Sequence, residues 1–269
     1  MAIACSRVNV VDDFPAFTFT VVNVGQGLSQ IGVAQGAALV WDVGDSGASD
    51  SFQTTYERLG SPRIEAIIIS HTHVDHMGGL SKLPPSMSFS GQIITHPNED
   101  TAYIRWRVAG ERRQAVYFTM ITQGDTVPGL EGVRVECIWP PKEIDTTLFI
   151  DDRKNRYSMC FLLRCGATTA LITSDIDTAA EQELSRTYGF GLKSDIMVIP
   201  HHGSAGSADP VFFGFVNPSR AIISTAINNG YNDPSARIMD LLYQMRIETR
   251  GTYEEGSIIA YSDGYYWEW

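Results

Sequence analysis

The chain reads as an α/β protein, a four-layer sandwich in which two mixed β-sheets are covered on their outer faces by helices. Two observations point there. Runs of strand-forming residues open each half of the chain and then alternate with helical segments, so the same syntax occurs twice. In each half, an apolar strand-sized run ends directly in histidines: Ile64 to Ser70 in the first, Ile196 to Ile199 in the second. No Ser/Pro/Gly-rich linker, charge block or composition shift divides the halves, so residues 1–269 are read as a single domain.

The elements follow in order. Phe17 to Val24 alternates apolar residues with threonine, and Ala37 to Asp42 is a second strand run. A short helix fits Phe52 to Leu59, with Asp50 or Ser51 as its N-cap. Beyond Ile64 to Ser70 the sequence is irregular until Val133 to Ile138 and Tyr157 to Cys165, both strand-like. Gly166-Ala167 then turns the chain into a strand over Thr168 to Ser174. Thr178-Ala-Ala-Glu181 is a capping box, opening a helix that Gly189 stops. Asp209-Pro210 and Asp233-Pro234 each read as an N-cap followed by a first-turn proline. Ala221 to Ser224, Ile247 to Thr249 and Ile258 to Tyr261 complete the strands.

Composition excludes several classes. Hydrophobic residues make up 43% and charged residues 19%, values of a chain with a sizeable core rather than a disordered one. No apolar run approaches the roughly 18–20 residues of a membrane span, and the N-terminus lacks the pattern of a secretory signal. A cytoplasmic protein with no membrane partner is expected. With 20 basic against 31 acidic residues the net charge is −11, so contact with nucleic acid must come from a local patch or a metal. The four cysteines, Cys5, Cys137, Cys160 and Cys165, form no C-x-x-C pair and read as reduced thiols. Cys160 and Cys165 fall on opposite faces of one strand and cannot bridge each other.

Five of the six histidines sit in two short motifs, His71-Thr72-His73-Val74-Asp75-His76 and Pro200-His201-His202-Gly203-Ser204. An H-x-H spacing sets two imidazoles on one side of an extended segment, and a tight turn lets Asp75 and His76 aim at the same point. So many nitrogen and oxygen donors exceed what one tetrahedral ion needs once other segments contribute, and this indicates two adjacent ions. A solvated His-rich loop would need neither the preceding strand nor the following Gly78-Gly79. Asp175 ends a strand about a hundred residues later; since Thr178 is read as capping the next helix, Asp175 is free to bridge the ions. His96, followed by Pro97, reads as structural or surface.

These motifs resemble those of the metallo-β-lactamase-fold hydrolases, and are most similar to the soluble hydrolase domain of ComEC-type competence proteins and its stand-alone relatives. The resemblance runs through Val22 to Gly27, Val40 to Gly44, His71 to Leu80, Ile172 to Asp175 and Val198 to Ser204. It implies that His71 and His73 hold one ion and Asp75 and His76 the other, with Asp175 bridging. One of His201 and His202 completes the second site; His202 is favoured as ligand and His201 as proton donor to the leaving oxygen. Asp42 would orient a ligand imidazole from behind. Many relatives supply a third histidine to the first ion, but the matching segment here, Asp151 to Ser158, has none. Asn155 or water would substitute and Ser158 would support the site, leaving it oxygen-rich and open to manganese as well as zinc. The usual Y-x-H-P is here Tyr231-Asn232-Asp233-Pro234, and Asp233 reads as a helix cap.

A pair of such ions supplies hydroxide near neutral pH, with Asp75 as a candidate proton acceptor. A phosphodiester, in a nuclease or phosphodiesterase, is the favoured substrate. The P-H-H-G-S subgroup resembles such enzymes, arginines alternate with aromatics at Arg105 and Arg107, and Arg153 and Arg156 lie close in sequence to the strand of the first site. Those arginines and Ser204 are therefore candidate substrate contacts, the bland alternative being a solvated charged face. The other readings are hydrolysis of a lactone, thioester or β-lactam, and a metal-binding module without catalysis. A flavin–diiron oxidoreductase would want Glu where His73 stands.

Overall fold

The computed structural model describes residues 16–148 and 150–269. Six strands, β1 (Phe17–Val21), β2 (Ser29–Ala34), β3 (Ala37–Val43), β4 (Arg63–Ile68), β5 (Gln92–Thr95) and β6 (Tyr117–Met120), build most of the first sheet. The second sheet contains β7 (Thr126–Val127), β8 (Val133–Trp139), β9 (Cys160–Cys165), β10 (Thr168–Ile172), β11 (Ile196–Val198), β12 (Arg220–Ile223) and β13 (Glu248–Gly251). The chain then returns to the first sheet as β14 (Ile258–Ser262) and β15 (Trp267–Glu268). The strand orders are β15-β14-β1-β2-β3-β4-β5-β6 and β13-β12-β11-β10-β9-β8-β7.

Alternation along the strands explains the layers. In β3, Leu39 and Trp41 face the second sheet, whereas Ala38 and Val40 face outward. In β9, Phe161, Leu163 and Cys165 face inward and Cys160 and Leu162 outward, so the two cysteines do stand on opposite faces. The inner faces share one core in which Trp41 and Phe161 meet edge to face with ring centroids 6.1 Å apart. Outside the first sheet lie α1 (Ser49–Arg58), with Phe52 and Tyr56 buried, and, beyond the one-turn α2 (Val74–Met77), α3 (Thr101–Arg107), with Ile104 buried. After the short α4 (Ile150–Arg156), the helices α5 (Thr178–Tyr188), α6 (Pro210–Val216) and α7 (Ala236–Gln244) cover the second sheet through Leu184, Phe212, Phe213, Ile238 and Leu242. The one-turn α8 (Thr252–Glu255) follows β13. The four-layer expectation is met. Among the described residues, no helix is long and apolar enough to cross a membrane. Cys5 lies outside the described residues.

Several caps differ from expectation. The chain enters α1 through a 3₁₀ turn over Ser46–Ala48, capped by the Asp45 carboxylate accepting from Gly47 N–H, so neither Asp50 nor Ser51 is the cap. Asp177, not Thr178, caps α5 by accepting from Ala180 N–H. Asp209 does cap α6, but α7 starts after Ser235, whose hydroxyl accepts from Ile238 N–H, which frees Asp233. Strand β2 escaped prediction because Gly32 interrupts its β-branched pattern. A Cβ at that position would lie 3.0 Å from the Trp41 ring and 3.1 Å from Phe17, so the gap makes room for aromatics.

Strands β3, β4 and β5 run parallel to one another, as do β10, β11, β12 and β13. Their C-terminal ends therefore gather along one edge of the sandwich, where open sheets place their chemistry. Hydrogen bonds join the sheets there, among them Ser174 Oγ donating to Ser70 Oγ at 2.7 Å and Ser224 Oγ to the Gly27 carbonyl at 2.8 Å.

Candidate metal centre

After β4 the chain bends at His71 and Thr72, and the rings of His71 and His73 lie 4.6 Å apart, centroid to centroid. His73 then becomes the N-cap of α2, and this single turn carries Asp75 and His76. Its position is fixed by backbone: the Asp75 carbonyl accepts from Leu28 N–H at 3.1 Å. Gly27 is required at that approach, because its φ is +148° and a Cβ there would stand 2.4 Å from the Asp75 oxygen. Gly79 packs as closely on β3, a Cβ there lying 2.2 Å from the Val43 carbonyl.

From the second sheet come Asp175, beyond the end of β10, and His201 and His202, beyond β11. His201 and His202 both take left-handed backbone conformations, with φ of 50° and 58°. The turn is held by His201 N–H donating to the Ser174 carbonyl at 2.9 Å.

The geometry converges. Asp75, His76, Asp175 and His202 each present a donor atom, and these atoms lie within 4.8 Å of one another. Nε2 of His76 is 3.1 Å from Oδ2 of Asp175, and Nε2 of His202 is 3.4 Å from Oδ2 of both Asp75 and Asp175. His71 Nε2 is 4.0 Å from the same Asp175 oxygen. His201 Nε2 is 3.9 Å from it, at the partly exposed rim. Of the two adjacent histidines, His202 is the one inside the cluster.

What stands behind these side chains sets their aim. Asp42, at the end of β3, accepts from Ser70 N–H at 2.8 Å and from His76 Nδ1 at 2.7 Å, so the Nε2 of His76 turns to the centre. His202 Nδ1–H donates to the Ser224 carbonyl at 2.9 Å, with the same consequence. Ser158 Oγ accepts from Asp175 N–H at 3.0 Å and fixes that residue's backbone. Asn155 lines the cleft, its amide 3.5 Å from His201 Nε2, while its buried Oδ1 has no partner. Two residues had gone unnoticed. Asp151 Oδ1 is 3.7 Å from His73 Nε2, and Gln26 lines the cleft. The signal for Asp151 was its carboxylate within the segment that lacks the family's histidine.

Electrostatics bind the side chains of the cluster to one another. Burial alone would lower the pKa of His76, but the carboxylates of Asp175 and Asp42 raise it well above the ordinary value. His202 is likewise pushed up to about 10, chiefly by Asp175 against the cost of burial. Burial raises Asp175, yet His76 and His202 bring it well below the usual carboxylate range, and Asp75 falls too. His71, buried and beside the His76 cation, is lowered well below its ordinary value.

A cleft of about 310 Å³ opens on the cluster, walled by Gln26, His73, Asn155, His201, Tyr231 and Asp233 among others. Asp233 is thus a wall residue of the cleft rather than a helix cap; burial raises its carboxyl, and His202 and His201 lower it. Asn229 shapes its loop, accepting from the N–H groups of Tyr231 and Asp233 through Oδ1. Among the described residues, no lysine or arginine lines this cleft. Arg105 donates to the carbonyls of Arg113 and Val116, and Arg107 lies over the Trp106 ring. Arg156 pairs with Asp177, and Ser204 Oγ accepts from Gly206 N–H in its own turn. None of these four residues lines the cleft, and Arg105, Arg156 and Ser204 hydrogen-bond within the local structure. Arg153 and His96 line a neighbouring cavity.

Fold and site together define the class. The sequence profile of the Metallo-beta-lactamase superfamily matches residues 31–210, and the chain belongs to that superfamily, with the fold of its metal-dependent hydrolases. Among individual proteins it is similar to Competence protein ComA of Neisseria gonorrhoeae, 28% identical over 82% of this chain and 29% of ComA. Recombination protein 2 of Haemophilus influenzae is 25% identical over 91% of this chain and 29% of that protein. The chain therefore spans less than a third of these relatives' length. The solved metallo-beta-lactamase fold protein YhfI from Bacillus subtilis superposes with a TM-score of 0.60 at 11% identity, covering 91% of this chain and all of YhfI, a likeness of fold.

Proposed function

We propose that the chain hydrolyses phosphodiester bonds with two divalent cations, zinc or manganese, bound in this cleft. The observation that carries the reading is a set of buried donor atoms without hydrogen-bond partners, Nε2 of His71, His76 and His202 and Oδ1 of Asp175. Buried polar atoms are normally satisfied, and orphans converging on one point fit cations. Asp75, His76 and His202 would hold one ion and His71 and His73 the other, with Asp175 between them and Asp151 or Asn155 adding oxygen to the second. When bound, such a pair lowers the pKa of water toward neutrality and stabilises negative charge on phosphoryl oxygens.

The chain's own residues do the rest. Asp42 and the Ser224 carbonyl fix the tautomers of His76 and His202. Asp75, about one-third exposed, takes a proton from water, and His201 at the rim gives one to the leaving oxygen. Similarity to competence proteins and the P-H-H-G-S motif favour a phosphodiester over a lactam or thioester. The absence of Lys and Arg from the cleft among the described residues, with a net charge of −11, favours a short substrate over a long polyanion. Residues 1–269 would act as one domain in the cytoplasm, where the buried thiols of Cys137 and Cys160 stay reduced. The test is hydrolysis of bis(p-nitrophenyl) phosphate by zinc- or manganese-loaded protein, with loss in Asp175→Asn. Turnover confined to lactams, lactones or thioesters overturns the reading.

A further inference from the structure

Gln26 stands in the loop between β1 and β2, flanked by Gly25 and Gly27 with φ of 73° and 148°, and lines the metal cleft beside Asp75 and His202. The loop is pinned on two sides. Leu28 N–H donates to the Asp75 carbonyl on α2, and the Gly27 carbonyl accepts from Ser224 Oγ beyond the end of β12. The Gln26 side chain is held as well, its Oε1 accepting from Thr225 Oγ1 at 2.7 Å.

The groups behind Thr225 fix the direction of that bond. Asn229 Oδ1 accepts from the backbone N–H groups of Tyr231 and Asp233. Its Nδ2 is therefore the edge that meets the Ala226 and Asp233 carbonyls and, at 3.2 Å, Thr225 Oγ1. An amide NH₂ donates and does not accept. The Thr225 side chain is fully buried, out of reach of water, so its proton goes to Gln26. With the Gln26 amide turned over, that hydroxyl would face two NH₂ groups and its proton would lack an acceptor. Gln26 thus keeps Nε2 for whatever enters the cleft, since no group among the described residues accepts from it.

We propose that Gln26 binds the phosphoryl group, Nε2 donating to a non-bridging oxygen of the scissile diester while Thr225 positions the amide. This rests on the phosphodiester reading. Hydrolysis builds negative charge on those oxygens, and a donor already aimed at them stabilises it without reorganising. With no lysine or arginine among the described residues of the cleft, a fixed amide is the kind of donor that remains beside the ions and imidazoles. Asn155, a second amide in the cleft, turns Nδ2 toward His201 Nε2 instead. The two residues after β12 then divide the work: the Ser224 carbonyl orients His202 and the Thr225 hydroxyl orients Gln26.

The first test is hydrolysis of bis(p-nitrophenyl) phosphate by metal-loaded variants. Gln26→Glu keeps an acceptor for Thr225 but has no N–H to give, so kcat should fall about 100-fold with KM little changed. A residue that only braced the loop would keep its activity in that variant. Gln26→Leu, which adds no charge, should lose about as much. Thr225→Val should lower kcat about fivefold and Thr225→Ser restore it. The second test needs no turnover. In zinc-loaded, ¹⁵N-labelled protein, the Gln26 side-chain NH₂ signals, assigned by their loss in Gln26→Glu, should shift on titration with inorganic phosphate. Full kcat in folded Gln26→Glu or Gln26→Leu, or signals that phosphate leaves in place, overturns the proposal. Equal kcat in Thr225→Val and Thr225→Ser overturns the positioning role. If the unaltered metal-loaded protein hydrolyses no phosphodiester, the phosphodiester reading falls and the phosphate titration alone decides Gln26.

Discussion

Oδ2 of Asp42 stands 2.7 Å from Nδ1 of His76 and also accepts from Ser70 Oγ at 2.7 Å. One buried carboxylate thus sets the direction of an imidazole on the far side of which the candidate ligands meet. Asp42→Ala should lower metal affinity about 10–100-fold, the usual cost of losing such a partner. Metal competition against a chromogenic chelator measures it, and unchanged affinity in folded protein would mean that His76 needs no such support.

Metal loading should release protons. His76 is raised well above 6.5 and His202 to about 10 in the metal-free protein, so both carry protons at neutral pH that a cation must displace. Calorimetry in buffers of different ionisation enthalpy should therefore show more than one proton leaving per protein. The same groups give a sign for stability. A histidine whose folded pKa exceeds its unfolded value stabilises fully below the latter and loses that contribution as pH rises through the former. For His202 the window runs from 6.5 to about 10. The melting temperature of chelated protein should fall across it, and less steeply in His202→Gln.

Glu181, which does not line the metal cleft, offers a separate pH dependence. Burial pushes its carboxyl from 4.5 up to about 8, although Oε2 accepts from Asp209 N–H at 2.8 Å. The folded state binds the proton more tightly, so stability falls as pH rises from 4.5 to about 8. Glu181→Gln keeps an acceptor for that amide and removes the charge. It should raise the melting temperature by a few degrees at pH 8 and change it little at pH 5.

Gly27→Ala should cost about 2–3 kcal/mol, because it combines a positive φ with a Cβ driven into the Asp75 carbonyl. Urea titration gives the stability, and metal affinity should drop in the same variant, since α2 must shift. Alanine at Gly36, also in a positive-φ turn but with open space around it, is the control for φ alone.

Asp233→Asn should leave metal content intact and reduce kcat/KM for a phosphodiester about tenfold or more, as expected for a group that faces the reacting atoms without binding the ions. Loss of metal along with activity would instead make Asp233 a ligand.

Much of this was legible in the sequence because both signals are local. Apolar runs such as Ile64 to Ser70 give strands, and a histidine cluster directly after each run marks the strand end that holds chemistry. Asp42 and Ser158 come from motif resemblance and Asp175 from its place at a strand end, and each takes a position against the cluster. What failed depends on distant packing. Arg105 alternates with aromatics as a nucleic-acid contact would, yet its partners are carbonyls eight and eleven residues away. Asp233-Pro234 has the letters of a helix start, but Asn229 folds the loop back on itself and Ser235 takes the cap. Strand β2 was hidden by a glycine that only the Trp41 ring explains.

His71 through His76 hang from the first sheet, and Asp175, His201 and His202 from the second, with the Ser70–Ser174 bond among the ties between them. Neither layer owns the centre. A cation held there would act as a rivet through the sandwich, so sliding of one sheet past the other by even an ångström would register first as a change in the ligand field. A cobalt-substituted protein would carry, in its visible spectrum, a built-in gauge of how well the two halves stay aligned.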